Sequence, residues 1–218
     1  MRSQARVWAR GLVVVGALAL FSGFSTAAAL VDDTNAIAAW QGTKSFFAFD
    51  AGLHAILSVD VEYAVYGPGD YGGIDPSGGT EYVYAYQIFN DLAGNVPVTL
   101  LSVGINPDAN PTIIGQDSTA GTPGGTPLTF AAFSGTPPTS AIWYFTSNPI
   151  DPPTELSQVL LVTSIHAPEW HMSTISSGGV SDMQELPSPD PYAPEPATIG
   201  LIAIGVTVVM GARRRRKK

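Results

Sequence analysis

The chain contains no cysteine. Disulfide frameworks, thiolate nucleophiles and Cys-ligated zinc or iron–sulfur centres are thereby excluded. Basic residues are scarce where a folded surface would need them. Of the 10 Lys and Arg, three (Arg2, Arg6, Arg10) lie in residues 1–29, six lie in residues 194–218, and only Lys44 lies between. That middle stretch also holds 17 acids, so its net charge is −16, against −8 for the whole chain. Phosphate neutralisation requires clustered Lys and Arg, so a nucleic-acid partner is not expected. Long hydrophobic runs are absent too, the two longest apolar stretches being 14 residues each, at 11–24 and 199–212. Gly and Pro together number 41 of 218, above the ordinary ~12% but below the ~25–30% of low-complexity chains, as in a turn-rich folded domain.

The two ends have addresses written into them. Three arginines, the apolar stretch 11–24 and small residues closing at Ala27, Ala28 and Ala29 are the parts of a secretory signal peptide, residues 1–29. Cleavage is expected after Ala29, with Ala27 and Ala29 as the small residues at −3 and −1, and after Ala28 as the alternative. At the other end Pro194-Glu195-Pro196-Ala197-Thr198 leads into an apolar stretch and then Arg213, Arg214, Arg215, Arg216, Lys217 and Lys218. A transmembrane helix over 197–212 would be ~24 Å long, short of the ~30 Å hydrocarbon core, and would span by bilayer thinning or by snorkelling of its basic end. The six terminal charges hold that end in the cytoplasm by the positive-inside rule, which puts the acidic middle outside the inner membrane. Pro194 and Pro196 keep the backbone before the span extended, the form a protease or transpeptidase binds.

This order of motif, short span and arginine-rich terminus, residues 194–218, resembles the PEP-CTERM sorting tail of Gram-negative bacteria, which the membrane protease-transpeptidase exosortase recognises. The same tail also carries the label of an ice-binding protein C-terminal domain, which says nothing of activity. The resemblance implies export, transient retention in the inner membrane, cleavage near the motif by an exosortase-like enzyme, and delivery to the cell surface or an exopolysaccharide-rich extracellular matrix.

Between the ends the periodicity is two. Leu57, Val59, Val61, Tyr63 and Val65 alternate with Ser58, Asp60, Glu62, Ala64 and Tyr66, and Tyr82, Tyr84, Tyr86 and Ile88 share one face of the next run. Further strands are expected at 45–49, 98–105, 128–133, 141–146 and 158–165, each bounded by Pro, Gly, Asn or Asp, with one short helix at 34–40. Seven or eight strands in residues 30–180 predict an all-β chain with a single antiparallel β-sandwich. The run 82–90 followed by 98–105 resembles immunoglobulin-like modules of bacterial surface proteins. Residues 181–193, with three prolines from Pro187 and no apolar pattern, read as an extended spacer.

Several candidate chemistries are weighed and set behind plainer readings. Gly67, Gly69 and Gly72 match a dinucleotide fingerprint, but the glycines and prolines that follow forbid the helix it needs. His166, Glu169 and His171 lie close in sequence, yet the His are five apart with Pro168 between, so the segment reads as a loop after the last main strand rather than a zinc site. Isolated His54 reads as a turn residue. Asp70, Asp75 and Glu81 on one loop, with Asp91 and Asn95 on the next, could offer oxygens to Ca²⁺, but a solvated acidic surface is the preferred account. Tyr82, Tyr84 and Tyr86 with Trp40, Trp143 and Trp170 could make a sugar platform, although alternating Tyr more often fills a core. Asp60 and Glu62 share a strand face, as a glycoside hydrolase would require of its carboxylate pair. The expected function is therefore a non-enzymatic structural or adhesive surface protein without cofactor, with a glycan-binding module or a matrix glycoside hydrolase as alternatives.

Overall fold

The computed structural model describes residues 29–192 except Leu92 and Gly178. Two 3₁₀ turns, Leu30–Asp32 and Ala38–Trp40, precede ten strands: β1 (Gln41–Asp50), β2 (Ala55–Tyr66), β3 (Tyr82–Asn90), β4 (Leu100–Gly104), β5 (Ile113–Asp117), β6 (Phe130–Ser134), β7 (Ser140–Tyr144), β8 (Val159–Ser164), β9 (Pro168–Ser177) and β10 (Val180–Pro189). A third 3₁₀ turn, Pro107–Ala109, lies between β4 and β5. The strands make two five-stranded sheets, β1-β2-β3-β8-β5 and β10-β9-β4-β7-β6. Every neighbouring pair is antiparallel. The sequence expectation of an all-β domain of two antiparallel sheets is met. Among the described residues no helix is long and apolar enough to cross a membrane. The signal segment up to Ala28 and the stretch 197–212 lie outside the described residues.

The alternation in β2 explains where the core sits. Leu57, Val59, Val61, Tyr63 and Val65 point inward and join Tyr84, Tyr86 and Ile88 of β3, Leu160 and Val162 of β8, and Leu101, Val103, Trp143 and Ile175 of the facing sheet in one buried cluster. Burial of this apolar surface is the main driving force for the fold. The polar tips of its aromatic residues tie the layers together. The Tyr84 hydroxyl donates to the His166 carbonyl at 2.6 Å, the Tyr86 hydroxyl to the Pro187 carbonyl at 2.5 Å, and Trp143 Nε1 to the Gly115 carbonyl at 2.9 Å. Tyr84 and Tyr86 are therefore core, as the plainer reading held, with their hydroxyls satisfied by backbone, and Tyr82 packs partly buried beside them.

The other face of the first sheet is not left to water. Ala64, Tyr66, Val83, Ala85, Val159 and Leu161 form a second buried cluster with Leu30, Ala36 and Tyr71. The N-terminal segment and the loop between β2 and β3 thus cover the outer face, so β8 is buried throughout its length and β2 loses its alternation at Ala64. A strand covered on both sides shows no clean alternation.

Three expectations are corrected. Residues 181–189 are not spacer: they continue β10 and pair with β9 from Val180↔Ser177 to Pro189↔Pro168. Prolines are tolerated there because β10 is an edge strand. The Asp190 N–H donates inward to Ala167 O, so the nitrogens of Pro187 and Pro189, on the alternate parity, face the free edge. The segment from Pro168 is likewise a strand, not a loop, since an edge neighbour and one wet face let Glu169, Trp170 and His171 sit in a ladder. The helix expected at 34–40 is only the 3₁₀ turn at Ala38–Trp40, too short a stretch to hold an α-helix against the sheet.

Candidate functional site

The strand order carries the end of the folded domain directly to the sorting tail. After Pro189, Asp190 is held on every side. Its carboxylate accepts from Asn106 Nδ2 at 3.0 Å, lies 3.1 Å from His171 Nε2 and accepts the Tyr192 N–H at 2.7 Å. Burial pushes this carboxyl up, but the bonds from Asn106 and Tyr192 and the charge and hydrogen bond of His171 outweigh it and hold the group below the usual carboxylate value. The Tyr192 hydroxyl reaches Asp108 Oδ2 at 3.0 Å, across 84 residues. The chain is stitched down as far as residue 192. His171, weighed in sequence as a metal ligand, serves this junction instead. Asn106, Asp190 and Tyr192 gave no sequence signal beyond the preference of Asn and Asp for turns.

The opposite boundary is as firmly placed. Ala29, the expected −1 residue, accepts the Asp32 N–H. Leu30 is 1% exposed, and its N–H donates to Glu62 Oε2 at 3.2 Å. Burial pushes the Glu62 carboxyl above its usual value; the Leu30 and Val31 N–H groups draw it back, while Asp32 and Asp60 add to the rise.

The remaining candidates are engaged or separated. Asp60 accepts from Ser45 Oγ at 2.6 Å. Asp75 caps its own turn, accepting from Ser77 N, Ser77 Oγ and Gly79 N, and Glu81 accepts from Thr112 Oγ1. Among the described residues no three His, Asp or Glu side chains gather as a metal site, so Asp70, Asp75 and Glu81 do not converge. Asn95 bridges Ile56 N and His54 O, and His54 lies in the β1–β2 turn with φ 52. Asp91 accepts from Ser58 Oγ at 3.4 Å. The glycine-rich loop leads into β3 and not into a helix, with Gly69 and Gly79 at φ 83 and 85, a backbone only glycine adopts freely.

Of the aromatic set, Trp143 is wholly buried. Trp40 and Trp170 pair with ring centroids 5.1 Å apart, Tyr63 meets Trp170 edge-on at 5.7 Å, and Lys44 Nζ stands 5.1 Å over the Trp170 ring. The only Lys or Arg between residues 30 and 193 is thus placed on an aromatic face.

What the domain end leads into is clear from comparison. Residues 193–217 match the PEP-CTERM protein-sorting motif, beginning one residue beyond the tethered Tyr192. The chain is a two-sheet all-β protein bearing an exosortase sorting tail, and hence an exported protein handled by that membrane enzyme. Pro194, Glu195, Pro196, Ala197, Thr198 and the Arg213–Lys218 cluster lie within or beside this match and outside the described residues. No curated protein and no solved structure matches the chain.

Proposed function

We propose that the chain is a surface or extracellular-matrix protein of a Gram-negative bacterium, held transiently in the inner membrane and then cleaved near the Pro194–Thr198 motif by the exosortase-like enzyme. Its immunoglobulin-like sandwich has a structural or adhesive role, without catalysis and without a resident cofactor. The observation that carries this reading is the direct joining of the sorting motif to a domain end fixed through Asp190 and Tyr192. With 197–212 in the bilayer, only four residues separate Tyr192 from the span, at most about 18 Å from Tyr192 to Ala197, so the domain rides on the membrane until it is cut. Support for a non-catalytic role comes from the carboxylate pair: Asp60 is bonded to Ser45 and Glu62 to Leu30, each in a structural contact.

Replacing Pro194, Glu195 and Pro196 by alanine should leave the full-length protein in the inner-membrane fraction. Normal trimming and release of that variant would disprove the sorting role. One alternative has its own observation, the half-buried Trp40–Trp170 pair beneath Lys44, which fits a glycan-binding module better than a hydrolase. On that reading Trp170→Ala lowers polysaccharide affinity at least tenfold without turnover being seen in any variant; unchanged binding excludes it.

A further inference from the structure

At the point where the signal peptide ends, the chain is already part of the fold. The Leu30 side chain is packed among Ala64, Tyr66, Val83 and Leu161, and its backbone nitrogen is 3.2 Å from Glu62 Oε2. The charged groups acting on Glu62 are Asp32 in the first 3₁₀ turn and Asp60 on β2, both negative. Its ladder neighbours, Thr43 on β1 and Gln87 on β3, are uncharged, and the Lys44 ammonium lies over Trp170. A partly buried carboxylate beside two others therefore has only the Leu30 and Val31 peptide N–H groups to set against it, neutral partners for so much negative charge.

We infer that removal of residues 1–29 converts this contact into an ion pair, the Leu30 nitrogen becoming the α-ammonium of the mature chain with Glu62 as its counter-ion. The step is hydrolysis of the Ala29–Leu30 peptide bond: water gives its hydroxyl to the Ala29 carbonyl carbon and a proton to the Leu30 nitrogen. That amine takes a further proton from solvent below its pKa of about 8. The inference rests on the reading of residues 1–29 as a cleaved signal peptide, and it selects Ala29 over Ala28 as the last residue removed. One extra residue would carry the ammonium about 3.8 Å along the chain from its carboxylate. The fold is then completed by export, because only the processed chain brings a cation to the acidic outer face. An amine held by a carboxylate has its pKa raised. The stabilisation is full below the free value of about 7.7–8.0 and is lost as the pH rises through the higher folded value.

The test uses four exported proteins: wild type, Glu62→Gln, a Gly-Ser insertion between Ala29 and Leu30, and the two changes combined, with intact mass reading each mature N-terminus. At pH 7 the wild type should melt about 2–4 °C above the insertion protein. That gap should vanish in the Glu62→Gln pair, and should close in the wild-type pair well above pH 8. Glu62→Gln should lower the Tm of the protein starting at Leu30, yet raise or leave unchanged that of the inserted one, where Gln still accepts an N–H and no longer repels Asp32 and Asp60. Equal Tm values for wild type and insertion, or a Glu62→Gln effect of the same size in both, overturn the ion pair. A mature start at another residue overturns the choice of Ala29. Retention of residues 1–29 overturns the signal-peptide reading beneath it, a failure that the mass distinguishes from the others.

Discussion

Asp117 lies at the end of an edge strand, 2% exposed, and collects four donors: Tyr71 Oη at 3.0 Å, the Ile74 N–H at 2.7 Å, the Thr119 N–H at 2.7 Å and Thr119 Oγ1 at 2.6 Å. Burial pushes its carboxyl up, but these bonds prevail and hold it below the usual value. Burial and the Asp117 charge raise the Tyr71 hydroxyl well out of the physiological range, so it stays a neutral donor. A Cβ at Gly73 would collide with this carboxylate, which is why glycine stands there. Asn at 117 would turn an amide NH₂ toward some of the four donors. Asp117→Asn should therefore cost about 2–4 kcal/mol in urea unfolding at pH 7. Because the folded pKa is depressed, this stabilisation is present above the unfolded value of about 3.9 and is lost as the pH falls through the lower folded value. The variant and wild-type stabilities should therefore converge as the pH falls below that lowered value.

At the scale of the element, β2 and β3 were legible because one face alternates cleanly into a core. β9 and β10 were not. A run with Pro168, Glu169 and His171, and another with Pro187 and Pro189, resemble loops until they pair with each other, with the nitrogens of Pro187 and Pro189 on the open edge of β10. The short β5 was hidden for a different reason, since Ile113–Asp117 has one glycine and two polar residues in five and is held mainly by its ladder to β8. Tyr86 shows what such pairing contributes. Its hydroxyl bonds to Pro187 O, joining the centre of one sheet to the edge of the other. Tyr86→Phe should destabilise the domain by about 1 kcal/mol with no change in secondary structure, measured by chemical denaturation and far-ultraviolet circular dichroism. A loss below about 0.3 kcal/mol would show that the bond does not secure β10.

For the whole molecule the governing quantity is charge. Residues 30–193 carry 17 acids and one Lys or Arg, and self-repulsion of that surface opposes compactness. Raising the ionic strength from 0.01 to 0.15 M shortens the Debye length from about 30 to about 8 Å. The Tm of the mature domain should rise by a few degrees over that range, and Ca²⁺ at matched ionic strength should add nothing, since Asp70, Asp75 and Glu81 do not converge. A specific further rise with Ca²⁺ would show that some of those carboxylates do bind it.

Sequence alone determined the C-terminal address and the class of cargo. Signal and sorting segments are read by enzymes as linear order of charge, apolar length and small residues, and alternation of apolar residues is a local property of a strand. Tertiary structure alone decided what the ends are attached to. Only folding brings Leu30 onto Glu62, 32 residues away, and ties Asp190 and Tyr192 to the turn at Pro107–Ala109. Those contacts depend on distances between residues far apart in the chain, which no local pattern encodes, and they hold the chain to the fold as far as Tyr192, one residue before the matched sorting motif.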